Sequence, residues 1–156
     1  MDWKQLVRFV LLGGNLEPYA ILLVRILLGL FFAISGGYKL FVSSRTESMY
    51  QTLAAAKIPF PRLTTYFVSS VEFVGGVLLI VGFLTSLASA ALIVDMAVAI
   101  LTTKLSAIPT GLSPLDRLDD FLYFPEVLYV LFFVWLICSG PGRFSIDYVI
   151  AQKLSG

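Results

Sequence analysis

The sequence predicts an all-α membrane protein, a polytopic four-helix bundle with short interfacial helices in the N-terminus, the first and third loops and the C-terminus. Of the 156 residues, 58% are apolar and 13% are charged, whereas a soluble domain is usually about half apolar and about a quarter charged. Four segments also approach the length of about 20 mostly apolar residues that a membrane-spanning helix needs. They are residues 19–41, 66–84, 87–103 and 121–139, and we expect one transmembrane domain over residues 1–156.

The N-terminal segment is predicted to lie at the membrane surface. Trp3, Leu6, Val7 and Val10 form an apolar stripe that we expect to end at Gly13-Gly14-Asn15. Residues 1–12 lack the apolar core of a cleavable signal, so we expect the first span to be retained. Four spans place both termini on one side of the bilayer, here called the terminal side; the opposite side is called the loop side.

Three further patterns predict the connecting helices. Ser44 and Glu47 fit a capping box that opens a short helix in the first loop. Ser113 before Pro114 predicts a helix N-cap in the third loop. The tail over residues 145–154 is again amphipathic.

The composition also restricts the chemistry of the chain. The formal net charge is +1, which gives no basic field for nucleic acid, so we expect no nucleic-acid partner. The chain has no histidine, the commonest ligand of haem, zinc and copper, and its single cysteine, Cys138, cannot form an internal disulfide. We therefore expect no intrinsic metal or cofactor, and electron transfer would need a quinone, another organic cofactor or a partner subunit.

Ionisable side chains lie inside the predicted spans, where each costs about 2.5–3.5 kcal/mol on insertion scales and therefore faces the bundle interior. From helix depth we expect two layers. The first is an intramembrane ion pair of Arg25 with Asp95 near the terminal side. The second is a cluster near the loop side, formed by Lys39, Glu72 and Glu126.

Angular position supports inward-facing charges, because small and polar residues share one stripe on each helix. The predicted seams hold Arg25, Gly29, Phe32, Gly36 and Lys39 on the first span; Ser69, Glu72 and Gly76 on the second; Ala88, Ala91, Asp95, Ala99 and Thr102 on the third; and Tyr123, Glu126, Tyr129 and Phe133 on the fourth. Cys138 lies off this seam and is interpreted as a small packing residue.

The loop-side cluster is open to two interpretations. The charges can simply form internal pairs that fix helix register, which insertion requires in any case. Alternatively, two carboxylates and one ammonium line a polar pocket in which a protonated carboxyl could donate to a carbonyl or relay a proton. Tyr38, Tyr123 and Tyr129 could then supply hydroxyls and aromatic walls for a quinone or another flat apolar ligand.

Several motifs in this sequence resemble those of the DoxX family of small four-helix membrane proteins. They are Val24-Arg25-Ile26-Leu27-Leu28-Gly29, Ser35-Gly36-Gly37-Tyr38-Lys39-Leu40-Phe41, Ile58-Pro59, Glu72-Phe73-Val74-Gly75-Gly76 with Gly82, and Gly140-Pro141-Gly142-Arg143-Phe144-Ser145-Ile146-Asp147. The resemblance covers about residues 20–150. It implies that the polar positions of the family map onto Arg25, Lys39, Glu72 and, less clearly, Asp95.

The resemblance also implies a setting. Some members of this family are subunits of a thiosulfate:quinone oxidoreductase, and others are linked to membrane redox or thiol-stress complexes. Many members carry histidine in the membrane, and this sequence has none, so direct redox catalysis by this chain is not expected. The location expected is a bacterial or archaeal cell membrane, such as an inner membrane.

Three hypotheses for function follow. The first is a subunit of a membrane oxidoreductase complex that binds quinone or another small apolar ligand and relies on a redox partner. The second is a transporter of protons or a small solute. Four short helices leave little room for a gated pathway, so this function would require a homo-oligomer. The third is a structural or assembly protein without catalysis. It predicts that a charge swap between Arg25 and Asp95 would restore the function lost in either single variant.

Overall fold

The computed structural model of the protein describes residues 2, 3, 7, 9 and 16–155. Most of the surface helix expected over residues 1–12, and its end at Gly13-Gly14-Asn15, lie outside the described residues. Within the described ranges the chain forms helices and no β-strand. The α-helices are α1 (Glu17–Phe41), α2 (Ser43–Ala55), α3 (Pro61–Val81), α4 (Thr85–Ala99), α5 (Pro114–Leu122), α6 (Pro125–Ser139) and α7 (Ile146–Leu154).

The chain remains helical beyond Ala99, where the α-helical part of α4 ends. It continues through a π-helical turn over Ile100–Lys104 and a 3-10 turn over Leu105–Ala107. A π turn carries more residues per turn than an α-helix and is often found at functional sites. It therefore changes the direction in which the side chains after Ala99 point.

Three of the described helices are long and apolar enough to cross a membrane: α1, α3, and α4 with its extension to Ala107. A fourth crossing is formed if α5 and α6 count as one span, with a bend of 67° between them. The predicted class, an all-α polytopic membrane protein, is confirmed. The large hydrophobic side chains exposed along these spans are the ones that a bilayer would cover.

Several predicted span boundaries differ from the structure. The second span begins at Pro61 rather than residue 66, and it ends at Val81 because Gly82 takes a left-handed conformation with φ of 69°. The fourth helix begins at Pro125 rather than residue 121. Proline disfavours helical conformation in the residue before it, and Phe124 is extended there.

Helices α1 and α3 make the closest contact in the bundle, backbone against backbone. A Cβ atom on Gly76 would lie 2.3 Å from the backbone nitrogen of Ala33 and 2.6 Å from the carbonyl oxygen of Gly29. Only glycine permits this approach. The seams predicted for these two helices contain these glycines and are buried in the structure, except that Lys39 is only partly buried.

The core lies where α1, α3, α4 and α6 meet. Its fully buried large side chains are Phe32, Leu79, Leu92, Phe133 and Leu136. The seam predicted for the third span is shifted in the structure. The buried face of α4 contains Thr85, Ala88, Ser89, Leu92 and Met96, whereas Ala91 is exposed. Asp95 lies at the edge of this face and is only partly buried.

The local signals for the short helices have mixed outcomes. Ser113 caps α5 as predicted, since its Oγ accepts a hydrogen bond from the backbone N–H of Asp116 at 3.3 Å. The tail forms α7 with Ser145 as its N-cap. The capping box of Ser44 is wrong, because α2 begins at Ser43 without a side-chain cap and directly follows the last turn of α1.

Candidate functional site

A partly open cavity of about 190 Å³ lies in the bundle, lined by residues of α1, α3, α4 with its π turn, and α6. Helix α2 contributes Met49, Thr52 and Leu53 to its wall. Five ionisable side chains line it: Lys39, Glu72, Asp95, Lys104 and Glu126. The remaining lining is mainly apolar. The structure thus brings the three residues of the predicted loop-side cluster to one cavity, and adds Asp95 and Lys104.

Lys39 and Glu72 form an ion pair on one wall of this cavity. The ammonium Nζ of Lys39 donates to Oε1 of Glu72 at 2.6 Å and to Oε2 at 2.7 Å. Ser35 lies one helical turn before Lys39, and its hydroxyl is 3.5 Å from Oε2. The pair is possible because Gly36 lets α1 approach α3 closely: a Cβ there would lie 2.5 Å from the backbone nitrogen of Phe73.

Glu126 pairs with Lys104 rather than with Lys39. The Nζ of Lys104 lies 2.9 Å from Oε1 of Glu126, which stands in the first turn of α6. Sequence reasoning missed Lys104. Nine residues at 3.6 per turn would place it opposite Asp95 on a regular α-helix, and the π turn rotates it away from that position.

Asp95 faces the same cavity and has no salt-bridge partner among the described residues. Its Oδ2 is buried and lacks a hydrogen-bond partner in the part of the chain that the structure describes. Its electrostatic neighbours are Glu72 and Lys39. An unpaired carboxylate oxygen at membrane depth is costly unless a proton, a cation or a hydrogen-bond donor reaches it.

Helix lengths explain why Asp95 belongs with Glu72. Glu72 precedes the end of α3 at Val81 by nine residues, and Asp95 follows the start of α4 at Thr85 by ten. In an antiparallel hairpin both carboxylates therefore lie about 14–15 Å from the terminal side. The expected two layers assumed a later start for the second span, which put Glu72 too close to the loop side.

Arg25 is 1% exposed and turns toward the C-terminal segment instead of Asp95. Its guanidinium donates to the carbonyl oxygens of Pro141 and Phe144, each at 2.5 Å. It also packs on Gly82, where a Cβ would lie 2.6 Å from its Nη1. The structure therefore corrects the expected ion pair of Arg25 with Asp95, because the arginine reaches backbone carbonyls at its own end of the bundle.

The C-terminal segment is fixed at a second point. The carboxylate of Asp147 accepts hydrogen bonds from the backbone N–H groups of Leu84 and Thr85, both at 2.8 Å. The N–H of Asp147 in turn donates to the carbonyl of Gly82 at 3.0 Å. We call the contacts of Arg25 and Asp147 with residues 82–85 and 141–144 the terminal clasp. Its motif was visible in the sequence, but its role was not.

The predicted tyrosines do not line the cavity. Tyr38 and Tyr123 are exposed, and the ring of Tyr129 packs at centroid distances of 4.9 Å from Phe31 and 5.4 Å from Phe32. None of the three belongs to the described lining of the cavity. Cys138, interpreted as a packing residue, is exposed on α6.

Comparison with known proteins places these features in a family. A family model described as DoxX matches residues 20–105, more than half of the chain. The chain belongs to the DoxX family. The matched region of this DoxX protein holds four of the five charged residues of the cavity, and only Glu126 lies beyond it.

The DoxX protein is also similar to an uncharacterized membrane protein of Mycobacterium tuberculosis. The two are 28% identical over 140 residues, which cover 87% of this chain and 84% of the relative. No solved structure matches the chain significantly. Family, relative and apolar helices agree that this DoxX protein is an integral membrane protein.

Proposed function

We propose that this DoxX protein binds a quinone or another small, flat, largely apolar molecule in its charged cavity, as a subunit of a membrane oxidoreductase complex. A partner subunit carries out the redox chemistry. The observation that carries the proposal is the meeting of Glu72, Asp95 and Glu126 in one cavity at membrane depth. Membrane insertion requires buried charges to find partners, but it does not require three carboxylates to meet in one cavity.

The size of the cavity supports a ring-sized ligand. Its volume of about 190 Å³ is below the roughly 300–1,000 Å³ of drug-sized sites. It is above the roughly 150 Å³ of a protein cavity known to hold benzene. A six-membered ring with its oxygen substituents therefore fits, whereas a long isoprenoid tail would extend into the surrounding lipid.

The lining also has the mixed character that such ligands need. Val68, Met96 and Val98 supply apolar surface, and the charged groups supply a few fixed polar points. A partner is part of the proposal because the chain has no histidine, the commonest metal ligand, and its one cysteine is too few for an iron–sulfur cluster.

The proposal is tested by binding and by purification. The full-length protein, purified in mild detergent from its native membranes, is expected to retain a lipophilic molecule and a redox subunit, both identifiable by mass spectrometry. In the purified protein a short-chain quinone is then titrated by calorimetry. Glu72→Gln is expected to weaken binding at least tenfold, because it removes the carboxylate that holds Lys39 in place.

The matched control is Glu47→Gln on α2. Glu47 is exposed, and its carboxylate contacts only Gln51 among the side-chain hydrogen bonds of the described residues. It should bind like the unchanged protein. Equal binding by both variants in a folded protein, or binding of neither the quinone nor its reduced form by the unchanged protein, would reject the proposal.

Transport of protons or a small solute is the second candidate, and Asp95 is the observation that favours it. A carboxylate with a buried, unpaired oxygen can bind and release a proton. In sealed vesicles containing a pH-sensitive dye, the protein would then dissipate an imposed pH gradient, and Asp95→Asn would abolish this flux. Vesicles with no flux above protein-free ones would exclude this candidate.

A further inference from the structure

The cavity has buried hydrogen-bond acceptors without donors. Oδ2 of Asp95 and Oε2 of Glu126 are both buried and lack a hydrogen-bond partner among the described residues. Both side chains belong to the cavity lining. Buried acceptors of this kind are normally satisfied by protein, ordered water or a ligand.

The donors of the lining, by contrast, already donate within the protein. Lys39 and Lys104 are in ion pairs with carboxylates. The hydroxyls of Thr52, Thr102 and Thr103 donate to backbone carbonyls of their own helices, at 3.0, 2.7 and 2.7 Å. Among the described lining residues, the buried side-chain polar atoms left without any partner are therefore the two carboxylate oxygens, which are both acceptors.

The charge of the lining points in the same direction. Its three carboxylates, Glu72, Asp95 and Glu126, stand against two ammonium groups, Lys39 and Lys104. Each ammonium is matched with one carboxylate, which leaves Asp95 as the uncompensated group. A ligand oxygen that carries only lone pairs would be repelled by this carboxylate, whereas a polarised O–H group would be attracted to it.

We infer that the cavity selects the hydrogen-bond-donating, reduced form of its ligand, a quinol rather than the corresponding quinone, through Asp95 and Glu126. This inference rests on the proposed function. A quinol carries two hydroxyl donors, whereas a quinone carries two carbonyl acceptors. The ring is the same size in both forms, so the apolar lining does not discriminate between them, and the difference in affinity comes from the two acceptors.

The preference has a measurable size. We expect the quinol to bind at least tenfold more tightly than the quinone. Because the reduced form is the one stabilised, a tenfold preference would raise the midpoint potential of the bound two-electron couple by about 30 mV. This shift is a second readout that does not depend on the activity of a partner subunit.

The test uses full-length protein in detergent, titrated anaerobically with a short-chain quinol and separately with the matching quinone. Asp95→Asn is the informative variant because it keeps the side-chain shape and replaces the orphaned carboxylate by an amide that can donate to a carbonyl. No ion pair of the described residues is broken by this change. We expect the preference to fall at least tenfold or to reverse.

Two further variants complete the test. Glu126→Gln should lower the preference in the same direction. Asp119→Asn is the control, because Asp119 lies exposed on α5 outside the cavity lining, and it should retain the full preference. A preference that is lost in the control as well would overturn the assignment to Asp95 and Glu126.

The outcomes separate the inference from the proposed function. Equal or tighter binding of the quinone to the unchanged protein would overturn the inference and leave ligand binding intact. A quinol preference that survives both Asp95→Asn and Glu126→Gln would overturn the residue assignment. Binding of neither form would mean that water alone satisfies the acceptors, and both the inference and the proposed function would fail.

Discussion

Asp147 caps the start of helix α4, because its carboxylate accepts the backbone N–H of Thr85 at 2.8 Å from 62 positions away in the sequence. A second hydrogen bond, from the N–H of Leu84 at 2.8 Å, completes the cap. The first N–H groups of a helix have no partner within it, and a negative charge also interacts favourably with the helix dipole there. The C-terminal segment thereby holds the turn between α3 and α4.

Removing this cap should weaken the terminal side of the bundle. We expect Asp147→Ala to destabilise the protein by about 0.5–2 kcal/mol, the range of a lost N-cap. Limited proteolysis should then cut first in the C-terminal segment. Asp119→Ala on the exposed face of α5 is the control, and an equal loss of stability in both variants would contradict the cap.

Arg25 provides a second test of the terminal clasp. Arg25→Met keeps most of the side-chain volume but leaves the carbonyls of Pro141 and Phe144 without their charged donor. A loss of about 3 kcal/mol is expected, because a hydrogen bond to a charged group contributes about 1.5–3 kcal/mol. Unfolding in mixed detergent micelles, followed by circular dichroism, measures it.

The same residue distinguishes the clasp from the ion pair expected from the sequence. The charge swap Arg25→Asp with Asp95→Arg should not recover the stability lost in Arg25→Asp. The reason is that Arg25 contacts the C-terminal loop and Asp95 faces the cavity. Recovery in the double variant would show that the two side chains do pair.

Lys39 and Glu72 should behave as an energetically coupled pair. Lys39→Met leaves the carboxylate of Glu72, whose side chain is 5% exposed, without its ammonium partner. Breaking a buried pair on one side costs about 3 kcal/mol or more. Replacing both residues, with Lys39→Met and Glu72→Met, should recover most of this loss, and a double-mutant cycle in detergent measures the coupling. Additive effects would show that the pair contributes no coupling energy.

The contact of α1 with α3 predicts opposite effects for two glycines. Gly76→Ala places a Cβ 2.3 Å from the backbone nitrogen of Ala33, so one helix must move away, at a cost of about 1–3 kcal/mol. At Gly37 the nearest atom is the flexible ring of Phe73 at 3.4 Å. Gly37→Ala should therefore be neutral or gain up to about 1 kcal/mol from helix propensity. Similar thermal stability of both variants would contradict the close packing.

Much of the fold was predictable because lipid imposes strict requirements on sequence. Long apolar segments had to be helices, since a backbone in a bilayer must satisfy its own hydrogen bonds. The stripe of Arg25, Gly29 and Gly36 had to face another helix. A charged side chain is costly in contact with acyl chains, and small residues mark the faces where membrane helices pack closely. The pairing of Lys39 with an acidic residue of the second span follows from the same requirement.

The candidate site was less predictable because small shifts in helix geometry reassign partners. The start of α3 at Pro61 moves Glu72 to the level of Asp95. The break before Pro125 places Glu126 in a first helical turn, and the π turn over Ile100–Lys104 carries Lys104 toward it. The two helix starts follow from local prolines, which hydrophobic periodicity does not register, whereas the π turn depends on how neighbouring helices pack.

The sequence by itself determined that the protein lies in a lipid bilayer, that its spans are helices and that its charges face inward. The reason is that exposing any polar group to lipid is costly. Only the tertiary structure decided which charges meet. Arg25 reached the C-terminal carbonyls and Asp95 reached the cavity because partner choice depends on distances of a few ångströms between helices. Those distances are set by close glycine contacts and by caps from residues far away in the chain.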